Sequence, residues 1–217
     1  MESRGAESDG RVAPSEGSTH PPARPFPPPD RRRLRGSRTR SAILDALIGL
    51  LDAGNPQPSA RAVAEHAGVA RRSVFHHFGD VRLLYLAALE VQAGRHRELI
   101  APVGAGGSLD DRVGRICHQR RELFEVLGPV FRAAAAKVGD AVELDAHLVE
   151  LRLVLRNQLE ATFAMELSLR RTPSGALLDT LEMVTGWAHW QALRFEAHHL
   201  AATAEAVMAY AVIRLLQ

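Results

Sequence analysis

Two adjacent arginines, Arg71 and Arg72, followed by Ser73 and then by the pair His76-His77, form a compact group of hydrogen-bond donors inside this 217-residue chain. A guanidinium carries five N–H donors in a rigid fork and matches the paired O6 and N7 acceptors of guanine. Two of them at the exposed start of a short helix therefore suit the reading of base edges in a major groove. The ten histidines raise metal chemistry as a second option. No Cys/His pair has finger spacing, however, His76-His77 and His198-His199 point about 100° apart on a helix, and His189 with Glu196 is an isolated pair. No metal site is expected. Cys117 has no evident base partner and reads as a buried inert thiol rather than a redox switch. With no GxSxG, glycine-rich phosphate loop or HExxH, neither an enzyme nor a cofactor is expected.

Charge supports the nucleic-acid option. Residues 31–97 hold twelve arginines against five acids, a net +7 in a chain whose total is +2. A basic segment beside a mildly acidic remainder suggests that the first meets a polyanion and the second does something else. Lys137 is the one lysine among 27 basic residues, a uniform bias that carries no weight for bidentate phosphate contacts. Hydrophobic residues at 46% supply a core, and the length fits one domain or a small one fused to a larger one. One cysteine, an N-terminal stretch without the apolar core of a signal peptide, and apolar runs far short of about 18 residues predict a cytoplasmic protein and no membrane span.

The elements that position these residues follow from periodicity. Residues 1–34 hold seven of the twelve prolines and almost no large apolar residue, and are expected to be a disordered tail ending in Arg31, Arg32, Arg33 and, just beyond, Arg35. Whether this tail with Arg38 and Arg40 contacts DNA or is only a solvated leader is left open. Ile43, Leu47, Leu50 and Leu51 mark a first helix, ended by Gly54 and Asn55-Pro56. Ser59 is an N-cap for a second, with Val63 and Ala64 inward and Gly68 stopping it; residues 70–77 form a third, carrying Val74 inward, with Phe78 at its exit. Two short helices across a glycine turn make a helix-turn-helix. Asp80 caps a fourth helix running to about Ile100. Further helices are expected over 108–127, 131–138 (after an interruption at Gly128-Pro129) and 140–167, then, after a restart at Pro173-Ser174, one marked by Leu177 to Phe195 and a last one over 204–216. No segment alternates like a strand, so the fold class is all-α.

The stretch from Ser59 to Leu86, with Ala64, Ala67-Gly68-Val69 and Ser73-Val74-Phe75-His76-His77-Phe78, resembles the DNA-binding signature of the TetR family of bacterial transcriptional regulators. The resemblance implies that Ser59 caps its helix while bonding a phosphate, that Arg71, Arg72 and Ser73 face base edges and adjacent phosphates, that His76 occupies a variable contact position, and that His77 is the family histidine. Phe75 stands where the family has more often Tyr, and Val81 where it has Lys; Arg82 and the Arg31 to Arg40 cluster would make up the lost phosphate contacts. Since one such unit contacts too few base pairs, a two-fold dimer on a double-stranded, palindromic operator is expected. By resemblance, residues 174–199 and 203–217 form the homodimer interface. A pocket for a small apolar or amphipathic effector then lies among Phe124, Phe131, Phe163, Met165, Met183 and Trp187. Trp187, Trp190 and Phe195 also fit ordinary core or interface. The expected organisation is a tail (1–34), a DNA-binding domain (35–80) and a ligand-binding and dimerisation domain (81–217), with the fourth helix coupling the two. The expected function is a ligand-responsive transcriptional regulator acting as a repressor; the alternative is an all-α small-molecule-binding or enzymatic protein whose helix-turn-helix makes only protein contacts.

Overall fold

The computed structural model describes residues 31–139, 141–169 and 174–217, with backbone alone at 31–33, 141–147 and 174. Most of the expected tail lies outside the described residues. Its assumed end at residue 34 is corrected: the first helix, α1 (Arg31–Asp52), already includes the arginine run. Arginine is a good helix former, and the apolar face that begins at Ile43 anchors the helix downstream. Ile43 and Leu47 are fully buried, which contributes about 1.5–3 kcal/mol each.

α2 (Ala60–His66) starts where the Ser59 hydroxyl accepts the Ala62 N–H at 3.2 Å. Its end is set by Gly68 at φ +66°, and the Val69 N–H returns to the Ala64 carbonyl at 2.9 Å. Only a residue without a Cβ adopts that φ without strain, so the turn leading into α3 (Arg71–Phe78) depends on glycine. Asp80 caps α4 (Val81–Arg95), accepting the Arg82 N–H. The Tyr85 hydroxyl on α4 donates to the Pro58 carbonyl at 3.1 Å, tying the α1–α2 loop down, and burial pushes that phenol up to about 12. α4 ends at Arg95 and a 3₁₀ turn, Arg97–Ile100, completes the stretch expected as helix.

α5 (Leu109–Val138) opens on a reciprocal cap between Ser108 and Asp111 and does not stop at Gly128-Pro129. This corrects the expected interruption. Pro129 removes one backbone hydrogen bond, but Leu127, Gly128, Val130, Ala133 and Ala134 are buried on either side, and their packing outweighs a local penalty of about 3 kcal/mol. The missing side chain at Gly128 is what admits the Trp187 ring, 3.3 Å from where a Cβ would stand. The stripe expected to run unbroken over 140–167 is divided into α6 (Ala141–Thr162) and α7 (Ala164–Leu169). At the break Arg112 donates to the Thr162 carbonyl at 2.9 Å.

The segment expected as one helix from Leu177 to Phe195 is likewise broken, into α8 (Ser174–Val184), α9 (Trp187–Gln191) and a π-helical turn, Ala192–Glu196. Between α8 and α9 the chain turns at Gly186, whose backbone is extended (φ −90°, ψ 169°); a Cβ there would sit 2.8 Å from the Glu182 carbonyl oxygen, so the turn needs glycine. The chain closes with α10 (Ala201–Leu216). No strand occurs among the described residues.

Two cores result. One joins α1 to α4 and takes in Val130, Ala133, Ala134 and Val138 from the far end of α5 and Leu148 from α6. The other joins the first half of α5 to α6, α7, α8, α9 and α10. α4 shares its core with α1 to α3, so packing does not divide at residue 81. α5 runs through both cores, which makes it a mechanical link alongside α4.

Candidate functional site

The exposed end of the first core is built around α3. Val74 and Phe78 are buried and fix the helix roll, so Arg71, Arg72, Phe75 and His76 must point outward, and all four are exposed. Ser73 and His77 are half-buried. The Arg71 guanidinium lies over the Phe75 ring at 5.7 Å, one helical turn away, which steadies a long side chain without removing its donors from solvent. His76 and His77 meet edge to face at 5.4 Å.

Around α3 stand the other expected residues. Ser59 is exposed at the start of α2, Arg38 is exposed on α1, and Arg82 is exposed on α4 with its Nε 2.9 Å from Asp80. The hydrogen bonds from Arg82 hold the Asp80 carboxyl below the usual carboxylate range. Arg40, expected only as a member of the basic cluster, packs over the Phe78 ring at 4.3 Å and donates to the His77 carbonyl at 3.3 Å. A cation there satisfies a terminal carbonyl of α3 and matches the negative end of its dipole. Its position three residues before Ile43 puts it on the inward edge of α1, the one signal the sequence offered.

The second feature is a cavity of about 530 Å³ bounded by α5, α6, α8 and α9. Four of the six expected lining residues, Phe124, Phe131, Met183 and Trp187, border it. Phe131 and Trp187 pack at 4.6 Å between centroids, Phe124 and Trp187 at 5.8 Å. The other two do not: Phe163 is fully buried in the second core, beside Arg112, and Met165 is 61% exposed on α7. Phe163 packs with Leu159 and Leu167 in the second core, while Met165 lies on the outer side of α7. The remaining wall is Leu127, Leu148, Leu151, Leu155 and Leu159, and charged groups gather at Arg152, Arg156, Asp179 and Glu182. Arg156 bonds both Asp179 and Glu182 at 2.6 Å.

Sequence reasoning missed Arg120. It borders the same cavity and is 1% exposed. The signal was present, because Arg120 interrupts the apolar stripe of Val113, Ile116, Cys117, Phe124 and Leu127 on α5. Desolvation lowers its guanidinium to about 10. Cys117, one turn before it, is buried, and burial pushes its thiol up to about 12, so it stays protonated.

Among the described residues no three His, Cys, Asp or Glu side chains group as a metal site, and no helix is long and apolar enough to cross a membrane. The molecule is defined by a basic helix-turn-helix seated on a helical bundle with a cavity open to solvent on one side. Its fold is that of the TetR-family transcriptional regulators. A regulator of that family from Streptomyces coelicolor superposes with a TM-score of 0.60 at 17% identity, covering 81% of this chain and 80% of its own. A transcriptional regulator from Rhodococcus sp. Rha1 gives 0.59 at 19% identity over 84% of this chain and 96% of its own. A Rhodococcus protein assigned to the TetR family gives 0.60 at 18%, over 82% and 99%. No family model and no curated protein matches the sequence.

Proposed function

We propose that this chain is a cytoplasmic, ligand-responsive DNA-binding regulator, not an enzyme, that represses transcription by occupying a palindromic operator as a homodimer. The observation that carries the reading is the exposure of Arg71 and Arg72 in the first turn of α3, held outward by the burial of Val74 and Phe78. Arg71, Arg72 and Ser73 read base edges; Ser59, Arg38, Phe75, His76, His77 and Arg82 contact backbone or adjacent bases. Duplex DNA is the partner best matched to the net +7 of residues 31–97.

Dimerisation uses the outer faces of α8 and α10. Met183 at 74%, Leu200 at 76% and Tyr210 at 67% exposure leave large apolar surface on neighbouring elements, and the exposed Ala202 and Ala206, one turn apart on α10, allow close helix approach. A small apolar or amphipathic molecule enters the cavity and binds better to the state whose two α3 helices are wrongly spaced, lowering operator affinity by that difference. α4 and α5 transmit the change, since both take part in the first core and reach the second.

The test is binding of the purified protein to duplex DNA by fluorescence anisotropy across a salt series. Neutralising six or more phosphates per dimer predicts a loss of at least about a thousandfold between 50 and 200 mM salt. Salt-insensitive binding, or none to fragments selected from genomic DNA, rejects the reading.

A further inference from the structure

Arg120 is a buried cation whose charge no acid answers among the described residues. Its hydrogen-bond partners are neutral: Nη1 donates to the Gln158 and Gln119 side chains at 2.8 and 3.1 Å, and Nη2 to the Leu155 carbonyl at 3.0 Å. Those bonds take three of five N–H groups. They leave Nε and one hydrogen of Nη2 without a protein acceptor among the described residues. The contrast with Arg112 on the same helix is direct, since Arg112 is also buried and meets Glu166 at two oxygens. A charge withdrawn from water without a counter-charge is costly, and the chain keeps this one at the wall of a cavity.

The other charged groups on that wall are already matched. Arg156 holds Asp179 and Glu182, and Arg152 reaches Glu182 at 3.3 Å. A cationic ligand would have to displace an arginine from these acids. An anionic one meets Arg120 directly. The remaining lining is mostly leucine and aromatic carbon, with Met183, Thr185, Gly186 and Ala188, and the volume falls within the ~300–1,000 Å³ of small-molecule sites.

We propose that the cavity binds an amphipathic monocarboxylate, its acid group on Arg120 and its apolar body against Phe124, Leu127, Leu155 and Trp187. One uncompensated positive charge with two donors to spare matches the single charge of a carboxylate, whereas a phosphate brings a third oxygen and a second charge that the wall does not answer. This inference rests on the cavity being the effector site of the regulator proposed above, and it names the effector's chemical class.

The experiment titrates the full-length protein, without DNA, with decanoate, decanol, decylamine and decyl phosphate, read by calorimetry and by quenching of the tryptophan fluorescence to which Trp187 on the cavity wall contributes. Decanoate is expected to bind at least about tenfold more tightly than decanol or decylamine, the value of a charge-assisted hydrogen bond. In Arg120→Met the acid and the alcohol become equal within about twofold, while Arg120→Lys retains a preference for the acid. Equal binding of acid and alcohol by the unsubstituted protein, tighter binding of decylamine or decyl phosphate, no binding of any of the four, or a preference that survives Arg120→Met each overturns the proposal. Should Arg120→Met not fold, the ranking on the unsubstituted protein decides alone. A separate measurement on duplex DNA distinguishes the two readings: selective decanoate binding that leaves DNA affinity unchanged keeps this inference and removes ligand release of DNA.

Discussion

Arginine does opposite work in the two halves of this molecule. On the helix-turn-helix Arg38, Arg71, Arg72 and Arg82 are exposed, and water already solvates them. In the bundle Arg112 and Arg120 are withdrawn from water, at 4% and 1% exposure. An exposed guanidinium costs the fold little and remains available to a polyanion; a buried one must be answered inside the structure or by something that enters it. Substitutions in the first group should therefore leave folding alone and change binding. Those in the second should strike stability or ligand choice.

The largest effect is expected at Arg112. Its guanidinium bonds Glu166 at 2.5 and 2.9 Å and the Thr162 carbonyl at 2.9 Å, joining α5 to the α6–α7 break. Arg112→Met strands a buried carboxylate and should destabilise the protein by about 3–5 kcal/mol in a denaturant titration. Arg112→Met with Glu166→Leu should recover most of that loss. A single variant as stable as the parent would break the contrast between the two halves.

The same pair sets a pH dependence. The Arg112 hydrogen bonds hold the Glu166 carboxyl below its usual range. A depressed folded value contributes stability above the unfolded glutamate value of about 4.3 and loses it as pH falls through the folded one. Tm measured downward from about pH 6 should thus fall less in the Arg112→Met, Glu166→Leu protein than in the parent. Parallel curves would mean the pair does not contribute to acid lability.

The two halves also differ in how plainly the sequence displays them. The helix-turn-helix is local: a cap at Ser59, a positive-φ glycine at 68 and inward Val63, Ala64 and Val74 all lie close together in the chain, where periodicity and turn chemistry act directly. The cavity joins α5 near residue 120, α6 near 152 and α8–α9 near 186, and the helix break at Gly186 lies on its wall. Tertiary packing carried α5 through Pro129, against the local signal, and an extended turn at Gly186 cut a helix that the apolar spacing would have continued. Phe163 and Met165 were placed at the pocket by resemblance alone; the stripe keeps Leu159, Phe163 and Leu167 together in the second core, and Met165 falls on the exposed side of α7. Arg120 was visible as a charge inside an apolar stripe, but its surroundings are set by Leu155 and Gln158 on another helix, which spacing along α5 does not reveal.

Within the exposed group, Arg71 should matter more than Arg38, because one belongs to the helix that enters the groove and the other to its flank. Arg71→Ala should cost about 1–3 kcal/mol on the preferred duplex and relax selectivity at one base step, with folding stability unchanged within about 0.5 kcal/mol. Competition between matched and scrambled duplexes measures it. Equal losses on both would assign Arg71 to phosphate.

Arg38→Ala gives the smallest and most uniform change. Arg38 lies on α1 outside the buried face that starts at Ile43, so its removal takes neither a core contact nor a base-reading donor. A guanidinium that only neutralises phosphate releases one counterion per contact, and its loss should weaken matched and scrambled duplexes alike while reducing the log–log salt slope by about 1 per site. Anisotropy titrations across a salt series resolve the slope. If the slope holds while selectivity falls, Arg38 reaches a base edge, and the reading surface extends from α3 onto α1.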